Sequence, residues 1–291
     1  MNNYFNGLLI CNVELSSLCN KEPGCWCCGR RKLEKEYPEL CNWGNMDIDL
    51  ACNIAHWLPE NIIVQFHSNG ESLLHPKFGY IVQHYIKQIK CLDTNGKLLI
   101  EKANEIIDNL DTLTISVIEN DPEGDEQYET VKKFLEIKGD RKPFMIYRLL
   151  GDIRKTPKGI TTNIGMNQEK IKEKLEARKE RWYKLPGIVA TRVLHNPMGS
   201  FDYEKKVTIP EVGICWEILS HMVINVDGTV SLCVRFDPSK ELIIGDIKKE
   251  KLIDIWNGEK RKYFLQEHIK GNRKCNPVCS QCDYWGIPRG E

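Results

Sequence analysis

Between Gly7 and Pro197 the chain alternates short, β-branched apolar runs with longer stretches of helical period, the pattern of successive βα units. The runs are "LLICNVEL", "NIIVQFH", "IKCLDT", "TLTISVI", "FMIYRLL" and "GIVATRVLH". Each is too apolar for a half-exposed hairpin strand, so parallel strands covered by helices are expected. Phe78, Ile81, Val82, Tyr85, Ile86 and Ile89 recur at steps of three and four, as do Ile100, Ala103, Ile107 and Leu110, and both series predict core-facing helices. The densely charged "NQEKIKEKLEARKERWYK" predicts a solvated helix. Parallel strands with right-handed crossovers curl into a partial or complete α/β barrel. Six units fall short of the closed eight-stranded form, and a partial barrel leaves a mouth between the C-terminal strand ends for a bulky cofactor and substrate.

A chain of 291 residues has room for about two domains and buries a core without disulfide staples, so its thirteen cysteines need another explanation. Lys plus Arg equals Asp plus Glu at 41 each, which leaves no overall field to draw it to a nucleic-acid polymer, an anionic membrane or an acidic substrate. The start "MNNYFNGLLICNVEL" lacks a signal-peptide pattern, and no apolar run approaches the ~20 residues of a membrane span. The expected location is the cytoplasm. In a reducing compartment, clustered cysteines are metal ligands or redox groups more often than disulfides, and an odd total argues against complete internal pairing.

The first cluster is "CNKEPGCWCCG", in which Cys19, Cys25 and Cys28 directly follow the first strand, at the barrel end where active sites are built. Thiolates are soft ligands suited to iron–sulfur clusters or zinc. Three of them leave one metal position open, whereas a closed zinc site needs a fourth ligand, and only Cys27 is near, crowding its neighbour. Zinc and incidental thiols stay open as readings of these residues alone.

This stretch resembles the radical SAM superfamily, whose members usually carry C-x3-C-x2-C after the first strand of a partial (β/α)6 TIM-like barrel. Here the spacing is C-x5-C-x2-C, with Cys27 where an aromatic residue is common and Trp26 one place earlier. The resemblance implies that Cys19, Cys25 and Cys28 hold a [4Fe-4S] cluster whose open iron binds S-adenosylmethionine. "FHSNGESLLHP" is similar to the family's "GGEPLLHP", which places Asn69, Gly70 and Glu71 at the cofactor's amino group, with Ser72 in place of proline. The resemblance also puts Asn95 of "DTNG" and Ser116 of "TISV" along the cofactor or substrate pocket, and Arg148 of "YRLL" at the cofactor carboxylate. Arg192 and His195 of "TRVLHNP" are candidate substrate ligands. A core serine, a surface arginine and a satisfied structural histidine are the plainer readings of Ser116, Arg148 and His195.

The pattern changes near "FDYEKKVTIPEVG", which divides the chain into residues 1–208 and 209–291. Beyond it, Cys215 and Cys233 flank a hairpin predicted in "CWEILSHMVINVDGTVSLC", with "DG" as its turn, and "CNPVCSQCDYW" supplies Cys275, Cys279 and Cys282. A zinc ribbon is the plain reading. The arrangement resembles the twitch and SPASM auxiliary-cluster domains of radical SAM enzymes, with "IIGDIKKEKLIDIWNG" similar to their linking helix. The resemblance implies a second [4Fe-4S] cluster on Cys215, Cys233, Cys279 and Cys282, with Cys275 left over. Cys11, Cys41, Cys52 and Cys91 show no ligand spacing and read as ordinary buried thiols.

From the resemblance follows an activity of oxidoreductase or isomerase type. S-adenosylmethionine would be cleaved reductively to a 5'-deoxyadenosyl radical that takes hydrogen from a substrate, fed by a flavodoxin- or ferredoxin-type electron donor. A small polar substrate, such as an aminocyclitol, amino acid or nucleoside derivative, is the first expectation, because the barrel begins almost at residue one. A peptide or protein maturase is the second, and a non-catalytic zinc-binding module the third.

Overall fold

The computed structural model describes residues 4–21, 24–25, 27–119, 121–151, 168–193, 215–233, 237, 240–280 and 282, without the side chains of 31–32, 168–172, 174–175 and 192–193. Six parallel strands, β1 (Ile10–Val13), β2 (Ile63–Gln65), β3 (Ile89–Thr94), β4 (Thr112–Ile118), β5 (Phe144–Gly151) and β6 (Ile188–Val193), lie side by side in chain order. Each falls inside its predicted apolar run except β5, which runs one residue further to Gly151, and "IKCLDT" and "TLTISVI" are β3 and β4 entire.

The two faces of this sheet differ. Cys11, Val13, Val64, Leu92, Leu113, Ile115, Val117, Met145, Tyr147 and Leu149 alternate along the strands and are buried. The helices between the strands pack against that face: α1 (Arg30–Glu36), α2 (Ile48–Trp57), α3 (Phe78–Val82), α4 (Ala103–Ile106), α5 (Gly124–Lys138) and α6 (Gln168–Tyr183). Phe66, just beyond β2, meets Phe78 and Tyr85 edge-on with ring centroids 6.1 and 5.0 Å away. Trp182 anchors the otherwise charged α6, its ring 5.0 Å from Tyr147 and 5.2 Å from Tyr128.

The opposite face mixes polar and apolar side chains. The register sets Asn12 beside Gln65, Gln65 beside Cys91, Asp93 beside Thr114, and Ser116 beside Arg148, with Ile10, Ile63, Ile118, Ile146 and Leu150 on the same face. Ser116 and Arg148 are only half-buried. Strands are pleated with period two, so a sheet with helices on one side alone needs apolar residues only at alternate positions. The parallel pairing is as expected.

Helix lengths also differ from the sequence reading. α3 stops at Val82, Ile86 is exposed, and Ile89 opens β3 rather than continuing a helix. Asn61 N–H donates to Lys87 O at 2.8 Å and Ile89 N–H to Ile62 O at 2.9 Å, so sheet pairing captures this segment. α4 likewise spans only Ala103–Ile106, although Ile107 and Leu110 remain buried beyond it.

The C-terminal part extends the same sheet. After α7 (Trp216–Ser220), β7 (His221–Ile224) lies parallel beside β1, with Ile10 opposite His221, and β8 (Thr229–Ser231) returns antiparallel across the predicted turn. Gly228 there has φ +86°, a left-handed conformation that suits glycine, and Asp227 Oδ1 accepts from Thr229 N–H at 3.0 Å. β9 (Ile243–Asp246) pairs with β8. It occupies the "IIGD" expected to begin the linking helix, leaving that helix as α8 (Leu252–Trp256). Gly245 permits the close packing, since a Cβ there would lie 2.7 Å from the Ile255 side chain. α9 (Glu259–Ile269) and α10 (Pro277–Ser280) follow. The division at residues 208 and 209 falls outside the described residues.

Candidate functional site

Beyond β1 the chain enters the loop that carries Cys19, Cys25 and Cys28. Its base is fixed to the segment before α2: Ser17 N–H donates to Gly44 O and Met46 N–H to Leu15 O, both at 2.9 Å. Arg30 closes the other end, donating to Ser17 O at 2.8 Å while its guanidinium stacks 4.1 Å above the Trp43 ring. A tight turn, Cys28 N–H to Cys25 O at 3.0 Å, brings the last two cysteines together. Burial pushes the Cys25 thiol up to about 12; the neighbouring Cys28 and Cys19 thiols add to this and the Lys21 ammonium opposes it, so the three sulfurs share one neighbourhood. Cys19 is exposed and the other two are half-buried.

The loop after β2 is seated on this cysteine loop. Glu71 N–H donates to Leu18 O at 2.7 Å, and a Cβ on Gly70 would fall 2.6 Å from Leu18 O and closer still to Ser16 O. Glycine at this position serves the approach of one loop backbone to the other. The Glu71 side chain is buried and held by donors of the chain itself. It is 2% exposed, with Oε1 accepting from Leu73 N–H at 3.2 Å and Oε2 from Thr94 Oγ1–H and Asn95 N–H at 2.9 Å. Here the carboxylate ties the β2 loop to the end of β3, and burial raises its pKa against those three donors. Asn95 then reaches the cysteine loop, its Nδ2–H donating to Asn20 Oδ1 at 2.8 Å. His75, in the same motif, is buried and kept neutral by burial. Its Nδ1 accepts from Lys77 N–H at 3.1 Å, which leaves Nε2–H to donate to Met46 O at 2.9 Å.

Glu14, at the end of β1, was not among the sequence candidates. Its carboxylate is buried and bridges two loops, accepting from Asn69 N–H at 3.1 Å and from Val226 N–H at 3.2 Å. Burial raises its pKa, with the two backbone donors and Ser68 opposing and Asp227 adding. The folded chain therefore holds this proton more tightly than the unfolded chain. The corresponding stability is full below the ordinary carboxylate range and is lost as pH climbs through the raised value. The difference in Tm between Glu14→Gln and wild type is expected to move in favour of the variant as pH rises from about 5 to 8. A difference independent of pH in thermal melts would refute this. Beside Glu14, Asn12 Nδ2–H donates to His67 O at 2.7 Å, so its Oδ1 faces His221 Nε2, also at 2.7 Å. Glu217 meets His221 Nδ1 at 2.8 Å, joining α7 and β7 to β1.

On the same face as Ser116, Arg148 is ion-paired with the buried Asp93 across β4. Ser116 stands next to it in register. Arg192 lies in β6 opposite Leu150, but its side chain, like all of His195, is outside the described residues.

The C-terminal cysteines form a second neighbourhood. Burial pushes the Cys215 thiol up to about 11, with Glu217 and Ile218 N–H groups opposing and Glu217 and Cys282 adding. Burial raises Cys279 further, helped by Cys215, Cys282 and Cys275. Arg273 donates to Cys279 O at 3.2 Å and also to Cys282 O, holding the C-x2-C turn. Cys275, left over in the sequence reading, thus sits near Cys279, while Cys233 follows β8 with its N–H on Ser231 Oγ at 3.1 Å. Among the described residues no three Cys, His, Asp or Glu side chains already converge as ligands of a metal ion. Both neighbourhoods nonetheless offer soft sulfur donors on short loops, a set that fits iron–sulfur clusters. Among the described residues no helix is long and apolar enough to cross a membrane.

Residues 215–283 match the family model of SPASM, an iron–sulfur cluster-binding domain. No curated protein sequence matches the chain. Among solved structures, BtrN in complex with AdoMet and 2-DOIA aligns over 98% of this chain and 96% of its own, at 17% identity and a TM-score of 0.54. Histidine-tagged anSMEcpe with bound AdoMet aligns over 94% and 87%, at 13% identity and a TM-score of 0.53. Streptococcus suis SuiB bound to S-adenosylmethionine aligns over 95% and 72%, at 12% identity and a TM-score of 0.51. The six-stranded sheet and the extension beside β1 therefore share the fold of these AdoMet-bound structures, and residues 215–283 carry the match to a SPASM iron–sulfur cluster-binding domain.

Proposed function

We propose that this protein is a radical SAM enzyme that binds two [4Fe-4S] clusters and S-adenosylmethionine and abstracts a hydrogen atom from a small polar substrate. The observation that carries the reading is the seating of the Asn69–Glu71 loop on the loop of Cys19, Cys25 and Cys28. The SPASM match supports the auxiliary cluster, and the AdoMet held by the structural relatives supports the cofactor.

When bound, a cluster with one iron free of protein ligands supplies the electron that splits the sulfonium bond of S-adenosylmethionine and yields a 5'-deoxyadenosyl radical. Cys19, Cys25 and Cys28 hold that cluster. Cys215, Cys233, Cys279 and Cys282 are the proposed ligands of the second, with Cys275 a neighbour of Cys279. Asn69 and Gly70 present backbone to the cofactor's amino group, and Glu71 acts by fixing their loop against Thr94 and Asn95. Asn12, Gln65, Asp93, Thr114, Ser116 and Arg148 line the face on which substrate lies. Paired side chains of this kind suit hydroxyl and amino groups, which favours a small polar substrate over an apolar one. Arg192 and His195 are assigned to substrate, and a flavodoxin- or ferredoxin-type protein to electron delivery.

Anaerobic reconstitution is expected to give a brown protein with about eight irons per chain. With reductant and S-adenosylmethionine it should release 5'-deoxyadenosine, and deuterium from a labelled candidate substrate should appear in that product. A colourless zinc protein, or intact clusters that release no deoxyadenosine with any polar candidate, would refute the reading.

A further inference from the structure

The spacer between Cys19 and Cys25 is five residues, "NKEPG", and its first two residues are fastened to other loops of the barrel mouth. Lys21 is the second. Its Nζ lies 2.6 Å from Asp121 Oδ2 and 2.7 Å from Glu123 Oε2, in the loop between β4 and α5. The Lys21 and Asp121 side chains are 6% and 4% exposed, so this is a buried ion pair formed across a separation of 100 residues. The acidic loop is itself a closed turn: Asp121 Oδ1 accepts from Glu123 N–H at 3.1 Å, and Asp121 O from Gly124 N–H at 3.0 Å. Lys97 holds Glu123 from the other side at 2.6 Å. Next to Lys21, Asn20 Oδ1 accepts from Asn95 Nδ2–H at 2.8 Å. The spacer thus reaches the loops after β3 and β4, while the Ser16–Leu18 segment before it packs on the loop after β2.

A five-residue spacer between two ligands of one centre is free to place its sulfurs in many ways, and each restraint removes part of that freedom. From these contacts we propose that Lys21 is a positioning residue for the first cluster. Its ion pair with Asp121 and Glu123 holds the Cys19–Cys25 loop in the shape that presents the sulfurs together. The inference rests on the assignment of Cys19, Cys25 and Cys28 as cluster ligands. Lys21 touches neither iron nor cofactor; it acts through the loop, as outer partners of metal ligands generally do.

The test uses anaerobically reconstituted full-length protein. Iron release to a ferrous chelator is followed in wild type, Lys21→Met, Lys21→Arg, Asp121→Asn and Cys28→Ala, and the kinetic phase absent from Cys28→Ala is assigned to the first cluster. Lys21→Met is expected to accelerate that phase roughly 10–100-fold, leaving the remaining iron at the wild-type rate. Lys21→Arg should restore it, because the cation can still reach both carboxylates. Asp121→Asn should fall between, since Glu123 remains. The electron paramagnetic resonance signal of the reduced first cluster should also change shape in Lys21→Met and revert in Lys21→Arg. Wild-type release and an unchanged signal in Lys21→Met would overturn the proposal, as would equal acceleration of both phases, which marks general loosening of the fold. If Cys28→Ala loses no phase, the ligand assignment fails instead.

Discussion

Cys28→Ala is expected to lose about four of roughly eight irons per chain and to reduce deoxyadenosine release to the uncatalysed background. Cys282→Ala is expected to lose a similar amount of iron yet keep cleavage of S-adenosylmethionine. The contrast follows from where the two thiols stand. Cys28 closes the turn on Cys25 in the loop that the Asn69–Glu71 segment packs against, so its loss leaves two sulfurs at the cofactor loop. Two ligands do not hold a cluster that also keeps one iron open for a chelating cofactor. Cys282 stands with Cys215 and Cys279 in the other neighbourhood. Iron analysis and product chromatography on both variants decide the matter. Retained cleavage in Cys28→Ala would reject the ligand assignment, and lost cleavage in Cys282→Ala would show that the auxiliary iron takes part in the first electron transfer or supports the whole fold.

How far this was legible in the sequence depends on what each residue answers to. β3 and β4 coincide with their predicted runs because each apolar run ends in turn-forming sequence, "NG" after β3 and "NDPEG" after β4. Ile86 and Ile89 misled because helical period persists into a segment that sheet pairing to Ile62 captures, and pairing partners are not visible along the chain. The cysteine loop and "NGE" stood out by composition. Glu14, Asn12 and Glu217 did not, because a buried polar residue declares itself only through partners far away in sequence: Glu14 meets Val226, and Asn12 meets His221. One signal was available for Glu14, an acidic residue directly beyond a strand whose C-terminal end faces the barrel mouth. The docking of β7 on β1 carried no such mark, since any apolar strand of that length could pair there.

Gly70→Ala is expected to be the most damaging single methyl addition at the mouth. Glycine in a loop is often a matter of φ, but no left-handed conformation is involved here; the constraint is space. The added Cβ would lie 2.6 Å from both Leu18 O and Ser17 C and nearer still to Ser16 O, all of them backbone atoms that have no rotamer to escape into. Neither loop yields easily. The cysteine loop is held by Gly44, Met46 and Arg30, and the β2 loop by Glu14, Thr94 and Asn95 through Asn69 and Glu71. Overpacking against fixed atoms costs about 3 kcal/mol, a fall in Tm of roughly 5–10 °C at this chain length. The alternative to that cost is separation of the two loops, which breaks the Glu71 N–H to Leu18 O bond and moves Cys19 away from Cys25 and Cys28. Either way the variant should bind S-adenosylmethionine weakly while the auxiliary iron stays, and where the loops part it should also retain less iron in its first cluster. Calorimetry on the apo chain and iron analysis after reconstitution separate the two routes: a lowered Tm with normal iron means strain was absorbed, and a normal Tm with lost iron means the loops parted. Wild-type values in both would show that the contact between these loops is not what shapes the cofactor end of the barrel.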